Sequence, residues 1–352
     1  MPETAPAVED TAEPFCPYYE RCGGCTLQHL GPVSYERHKR GLVEDALRHA
    51  RVEAVLEPMI PAHGEGRRRT TLHARGKEVG YMARRSHDLV DIAICPILVP
   101  ALAERAPVLV RPIAATIGDC DVAVTATDSG LDVAVRSERR IKPEKLTLLA
   151  QRAGVARLSL NGEMVLQAQP PSVAMGKASV EIPIGSFLQA TTMAEEVLAG
   201  LVVEGVGKAK SVADLFCGMG PFTFRLAERA RVYAADSDRA AIEALAKALR
   251  FAPGLKPVTP KFRDLFREPL VPVELKAFDA VVFDPPRAGA EAQSRELAKS
   301  KVPVVVAVSC DPRSFARDAA ILIGGGYRLE KLTPVDQFAW SSHVELVAVF
   351  RR

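Results

Sequence analysis

DLFCGMGPF, residues 214–222, decides the fold. The apolar run SVADLF, residues 211–216, reads as a buried strand, and Gly218 and Gly220 let the backbone turn tightly and approach a ligand before Pro221 opens a helix. A strand that ends in such a loop and passes into a helix is the first unit of an open α/β sheet, whose ligands sit at the carboxyl ends of its strands. The pattern recurs downstream. RVYAAD (231–236), FDAVVF (278–283) and VPVVVAV (302–308) are apolar runs bounded by turn signals, with amphipathic segments such as residues 239–250 between them. The reading is a doubly wound, mainly parallel sheet over residues 181–352.

The loop also restricts its ligand. It follows neither the GxGxxG pattern of dinucleotide sites nor the glycine-lysine pattern of phosphate-binding loops, so an adenosine without a pyrophosphate fits better. Asp214 is placed to orient a nearby loop or amine. Asp236, about twenty residues on, can accept hydrogen bonds from both ribose hydroxyls, and Asp264 in FRDLF follows a further strand.

Outward from this half, residues 64–180 change character. TLHARG, KEVGYM, LVDIAI, DVAVTA, GLDVAVR and MVLQAQ are short runs separated by DSG and NG turns, which predicts a smaller, mainly antiparallel β domain with helices over 101–117 and 143–153. Residues 15–63 hold a cysteine cluster and a linking helix over 33–52. Residues 1–14 carry four acidic and no basic residues, and read as a disordered tail without the features of a secretory signal. The whole chain has 352 residues, 48% hydrophobic and 25% charged, with a formal net charge of +3, which suits a globular protein and excludes fibrous or disordered classes. No apolar stretch reaches the ~18 to 20 residues of a membrane span, so a cytoplasmic protein is expected. The basic stretch at Arg67, Arg68, Arg69, Arg75, Lys77, Arg84 and Arg85 would suit phosphate contacts; a solvated face is the plainer alternative.

Chemistry concentrates at the strand ends. In DPPR (284–287) two prolines stiffen the loop that holds Asp284 at the sheet's carboxyl edge. The next strand ends in Cys310, followed by Asp311, Pro312 and a helix. A lone cysteine is often only a small buried hydrophobe, yet this one is placed like a nucleophile. WSSHVELVAVF carries His343 and Glu345 into a final strand. Seven cysteines without an export signal argue against a disulfide framework. Cys16, Cys22 and Cys25 have five and two residues between them, and Cys95 follows after sixty-nine more, which gives four thiolates for either an iron–sulfur cluster or zinc.

FLQAT (187–191), DLFCGMG, DPPRAG, SCDPRSFARD (309–318) and SSHVELVAVF, in this order and spacing, resemble the RNA (uracil-5-)-methyltransferase family that uses S-adenosylmethionine. The resemblance spans roughly residues 16–350. It implies a class I methyltransferase domain in which Cys310 adds to carbon 6 of uracil, Glu345 removes the carbon 5 proton, and Gln189 and Asp284 border the methyl donor and the target base. It also assigns a 4Fe-4S cluster to Cys16, Cys22, Cys25 and Cys95, and RNA, specifically 23S rRNA, as partner, with no obligate protein partner indicated. Transfer RNA as substrate and a non-enzymatic RNA-binding metalloprotein are the alternatives. The resemblance departs in one respect: many relatives begin with a small RNA-binding barrel, and here only the fourteen-residue tail precedes the first cysteine.

Overall fold

A computed structural model of the chain describes residues 10–352. The C-terminal half forms one eight-stranded sheet. Its spatial order is Ile60–Pro61, Arg328–Asp336, Glu345–Arg351, Val304–Ser309, Ala280–Phe283, Ser211–Leu215, Arg231–Asp236 and Val258–Phe262. All neighbouring pairs are parallel except those of Glu345–Arg351, which runs antiparallel between Val304–Ser309 and Arg328–Asp336. That exception sets the site, because it brings the start of Glu345–Arg351 level with the end of Val304–Ser309: Leu346 is opposite Ser309. Val304–Ser309 is buried along its whole length, as a strand covered by helices on both faces must be.

Residues 69–167 form a second, seven-stranded sheet in which only Gly130–Arg136 and Arg157–Leu160 pair in parallel, across the helix Glu144–Ala153. The mainly antiparallel expectation holds in this sheet, with two local differences. The helix expected over 101–117 is divided at Glu104 into Pro100–Ala103 and Arg105–Ile117. A two-stranded ribbon, Ser172–Met175 with Ala178–Glu181, lies between the sheets in sequence. Among the described residues no helix is long and apolar enough to cross a membrane.

The N-terminal segment departs further from its reading. The first nine residues of the expected tail lie outside the described residues. From Asp10 onward the chain is tied down: the Asp10 carboxylate accepts from the backbone N–H groups of Val33 and Ser34 at 3.2 and 2.7 Å. An acidic group there satisfies donors that the first turn of the helix Pro32–His49 leaves open, so local composition misread a helix cap as solvated chain. Nor is this helix merely a link. Its Val43, Ala46 and Leu47 pack into one core with Phe315, Ala316 and Ala319 of Pro312–Gly324.

Lys39, on the same helix, is fully buried. Its ammonium is bonded to the Asp336 carboxylate and donates to the backbone oxygens of Phe338 and His343, each at 3.0 Å. Asp336 also accepts from Tyr35 Oη at 2.6 Å and meets His63 Nε2 at 2.8 Å, and these partners hold its carboxyl below the usual range despite burial. Replacing Lys39 with Met should cost about 3 kcal/mol of unfolding free energy, because it strands a buried carboxylate. Lys39→Met with Asp336→Asn should recover part of that loss in urea titrations; an equal or larger loss in the double variant would show that the pair is not the source.

Candidate active site

A cavity of about 560 Å³ opens along the carboxyl edge of the large sheet. One end is built by the glycine loop. Gly218 and Gly220 both take positive φ, which L side chains rarely adopt, and a Cβ at Gly220 would in addition crowd Leu245 Cδ1 at 2.7 Å. The Gly218 N–H donates to Asp236 Oδ2 at 2.8 Å and the Asp238 N–H to its Oδ1 at 2.7 Å, which fixes the Asp236 carboxylate at the cavity wall. The rings of Phe216 and Phe266, 5.3 Å apart, line the same end. An apolar clamp beside a carboxylate and a close backbone suits a nucleoside. Sequence reasoning missed both rings; the positive φ of Phe216, inside the glycine loop, is a strain no residue-type signal announces.

Three residues expected here do not line the cavity. Asp214 is fully buried beneath the loop and accepts from Thr223 Oγ1 at 2.5 Å, and burial lifts its carboxyl to about 7. It secures the helix Thr223–Ala227, which starts two residues later than Pro221 suggested. Asp264 caps its own turn, accepting from the Phe266 N–H at 3.1 Å, and does not line the cavity; its neighbour Phe266 does. Gly220 likewise shapes the loop from behind the wall.

The other end gathers the reactive groups. Cys310 follows Val304–Ser309, and Asp311 after it caps the helix Pro312–Gly324 by accepting from the N–H groups of Arg313 and Ser314. The thiol is half-buried. Burial pushes it up to about 12, the Glu345 and Asp284 charges act in the same direction, and Arg287 opposes them. Glu345 is buried at the start of its strand, which lifts its carboxyl to about 7, while a bond from Gln337 Nε2 at 2.7 Å favours ionisation. Asp284 is raised still more clearly by burial and by Glu345. Gln189 Nε2 donates to Asp284 Oδ2 at 3.3 Å, so Gln189, Asp284, Cys310 and Glu345 line one wall with Arg287, His343 and Phe338.

The basic stretch divides between one buried head and several exposed ones. Arg68 is buried and paired with Glu195 at 2.5 Å, Arg75 pairs with Asp121 at 3.0 Å, and Arg84 donates to the Cys25 carbonyl. A run of charges in sequence says nothing of which heads are buried. Arg75, Lys77, Arg84 and Arg85 are exposed, whereas the half-buried Arg69 stacks over the Phe187 ring at 4.4 Å and lines this cavity and a second one of about 550 Å³. Cys16, Cys22, Cys25 and Cys95 all line that second cavity, none in a disulfide. Burial raises the thiols of Cys22, Cys25 and Cys95, with neighbouring cysteines adding to the effect. Among the described residues no three His, Cys, Asp or Glu side chains stand close enough to hold a metal ion, so the expected metal centre is not carried by the side-chain geometry.

Comparisons with known proteins agree with this layout. Residues 134–352 match the model of the tRNA (Uracil-5-)-methyltransferase family, and the chain belongs to that family. An uncharacterized RNA methyltransferase of Brucella suis is 45% identical over 98% of this chain and 86% of its own length. The 23S rRNA (uracil(1939)-C(5))-methyltransferase of Chromohalobacter salexigens is 34% identical over 97% of this chain and 77% of its own. Among solved structures, the tRNA (uracil-54, C5)-methyltransferase of Pyrococcus abyssi, in complex with S-adenosyl-L-homocysteine, shares the fold with a TM-score of 0.77 at 23% identity, covering 95% of this chain and 86% of that one. The protein is thus an S-adenosylmethionine-dependent RNA (uracil-5-)-methyltransferase, and the binding-module alternative falls away.

The electrostatics of the wall are testable in the free enzyme. With its thiol near 12, Cys310 should be alkylated slowly by iodoacetamide at pH 8, where Glu345 is mostly ionised. Glu345→Gln removes a like charge and should speed labelling of the Cys310 peptide several-fold by mass spectrometry. An unchanged rate would separate the two groups electrostatically.

Proposed function

We propose that this chain methylates carbon 5 of a uridine in 23S rRNA through a covalent adduct on Cys310. The observation that carries the reading is that Cys310 and Glu345 line the same cavity as Gly218 and Asp236, so a base and a methyl donor can meet there. Carbon 5 of uracil is a weak nucleophile. Cys310 overcomes this by bonding its sulfur to carbon 6 as the thiol proton departs to solvent, which moves the ring electrons onto the carbonyl oxygen as an enolate. The donor supplies a methyl group on a sulfonium; carbon 5 takes that methyl as the methyl–sulfur bond breaks and a neutral thioether is released. The Glu345 carboxylate then removes the carbon 5 proton, and the electrons of that bond restore the ring double bond and expel the Cys310 sulfur. Gln189 and Asp284 border both partners, and Arg287 eases the loss of the thiol proton.

The ribosomal assignment is supported by the Chromohalobacter relative, whose name specifies 23S rRNA; tRNA is the alternative. Incubation with labelled methyl donor and separated RNA pools should place 5-methyluridine in 23S rRNA, and label confined to tRNA would move the substrate. Cys310→Ala should abolish turnover while methyl-donor affinity changes little. Glu345→Gln should stall after methyl transfer and leave a protein–RNA adduct that runs slowly on a denaturing gel. Full turnover by Cys310→Ala would remove the nucleophile assignment.

For Cys16, Cys22, Cys25 and Cys95 we propose a 4Fe-4S cluster with a structural role. The donor set is right: four thiols, free of disulfides, border one cavity of about 550 Å³. Four thiols serve an iron–sulfur cluster or zinc alike, and the family resemblance is what favours iron. When bound, the cluster would cross-link residues 16–25 to Cys95 and the seven-stranded sheet. Anaerobically purified protein should be brown with about four iron per chain. Stoichiometric zinc in colourless protein would overturn the iron, and Cys95→Ser should expose residues 16–25 to protease.

A further inference from the structure

Gln337 belongs to no motif singled out in the sequence, yet from behind the reactive wall its side chain bonds two of the residues that line it, Gln189 and Glu345. It follows the strand Arg328–Asp336 and is 1% exposed. The Ala190 backbone N–H can only donate, so the atom that faces it at 2.9 Å must be Gln337 Oε1. The amide therefore has one orientation. Its nitrogen then donates one hydrogen to Glu345 Oε2 at 2.7 Å and the other to Gln189 Oε1 at 2.9 Å. With that oxygen taken, the Gln189 nitrogen turns to Asp284. One backbone N–H thus sets the direction of three side chains.

We propose that Gln337 is a positioning residue, which aims the Glu345 carboxylate and the Gln189 amide at the reacting uracil by holding both on one fully bonded amide. The inference rests on the assignment of Glu345 as the base. With Oε2 engaged by Gln337, Oε1 is the oxygen left for the carbon 5 proton. The groups that face Glu345 are otherwise of mixed kind: Asp284 and Cys310 beside it, Arg287 and His343 across the wall, and Arg69 and Asp236 along the cavity. Among the described residues the one side-chain donor to Glu345 is this neutral amide. A donor to a carboxylate favours its ionised form. Gln337 therefore also keeps the base ready at neutral pH.

Gln337→Met preserves most of the volume and removes both donors. In this variant the pH midpoint for discharge of the protein–RNA adduct should rise by about one unit, since one hydrogen bond to the charged form is worth roughly that much. At pH 7 adduct should accumulate on denaturing gels and be discharged when the pH is raised to 9. In Glu345→Gln, by contrast, the adduct should persist at every pH. Methyl-donor affinity should stay near that of the parent, the thermal midpoint should fall because the Ala190 N–H loses its buried acceptor, and a merely structural loss would lower activity at all pH values without moving the pH midpoint. A parental midpoint in Gln337→Met while Glu345→Gln still traps adduct would overturn the role of Gln337. Absence of adduct in Glu345→Gln would overturn the base assignment itself.

Discussion

A single buried ammonium governs the geometry of the active site. Lys39 has three hydrogens and three acceptors, the Asp336 carboxylate and the carbonyls of Phe338 and His343, so it grips the connection between the last two strands at both ends. That connection carries Phe338 and His343 to the cavity wall, places Gln337 behind it and delivers Glu345 at its far side. Away from water such a cation is tolerable only with all its partners in place, which makes the grip all-or-none rather than adjustable. The helix that bears Lys39 therefore supports the wall that holds Glu345, the proposed base, from far away in the chain.

The same connection reaches the cysteine segment. The Trp340 carbonyl accepts from the N–H groups of Thr26 and Leu27 at 2.7 and 3.1 Å, directly after Cys25, and the Trp340 ring packs against Phe15 and Tyr35. Two features that looked independent in sequence, a cysteine cluster and a terminal glutamate, hang from one short stretch of backbone. Arg68 adds a second tie, since its buried pair with Glu195 joins the seven-stranded sheet to the helix Thr192–Val206.

What could be read from the sequence follows from how local each signal is. The strands and the glycine loop were legible because apolar runs and glycine conformations are properties of the residues themselves. Cys310 and Glu345 stood out by their place at strand ends together with the family resemblance, and the cavity contains both. Gln337 and Lys39 were invisible because an ordinary glutamine and a lysine in a basic helix acquire meaning only from partners far along the chain. Arg68, Asp10 and Asp264 were misread for the opposite reason: charge and spacing suggested binding or solvation, whereas long-range packing or a local cap claimed the group.

The resting state of Cys310 has a consequence for how the proposed catalytic cycle would end. A sulfur that is a poor acid makes a strong nucleophile once ionised, but it is a correspondingly poor leaving group. The environment that holds this thiol near 12 therefore leaves little thiolate to form the opening bond and burdens the closing one as well. It also spares the resting enzyme, since peroxides and disulfides attack through the thiolate, which is scarce here at neutral pH. The burden falls on the carboxylate opposite. In the proposed cycle, departure of the sulfur would have to be drawn by the restored aromatic ring rather than by the stability of the departing anion.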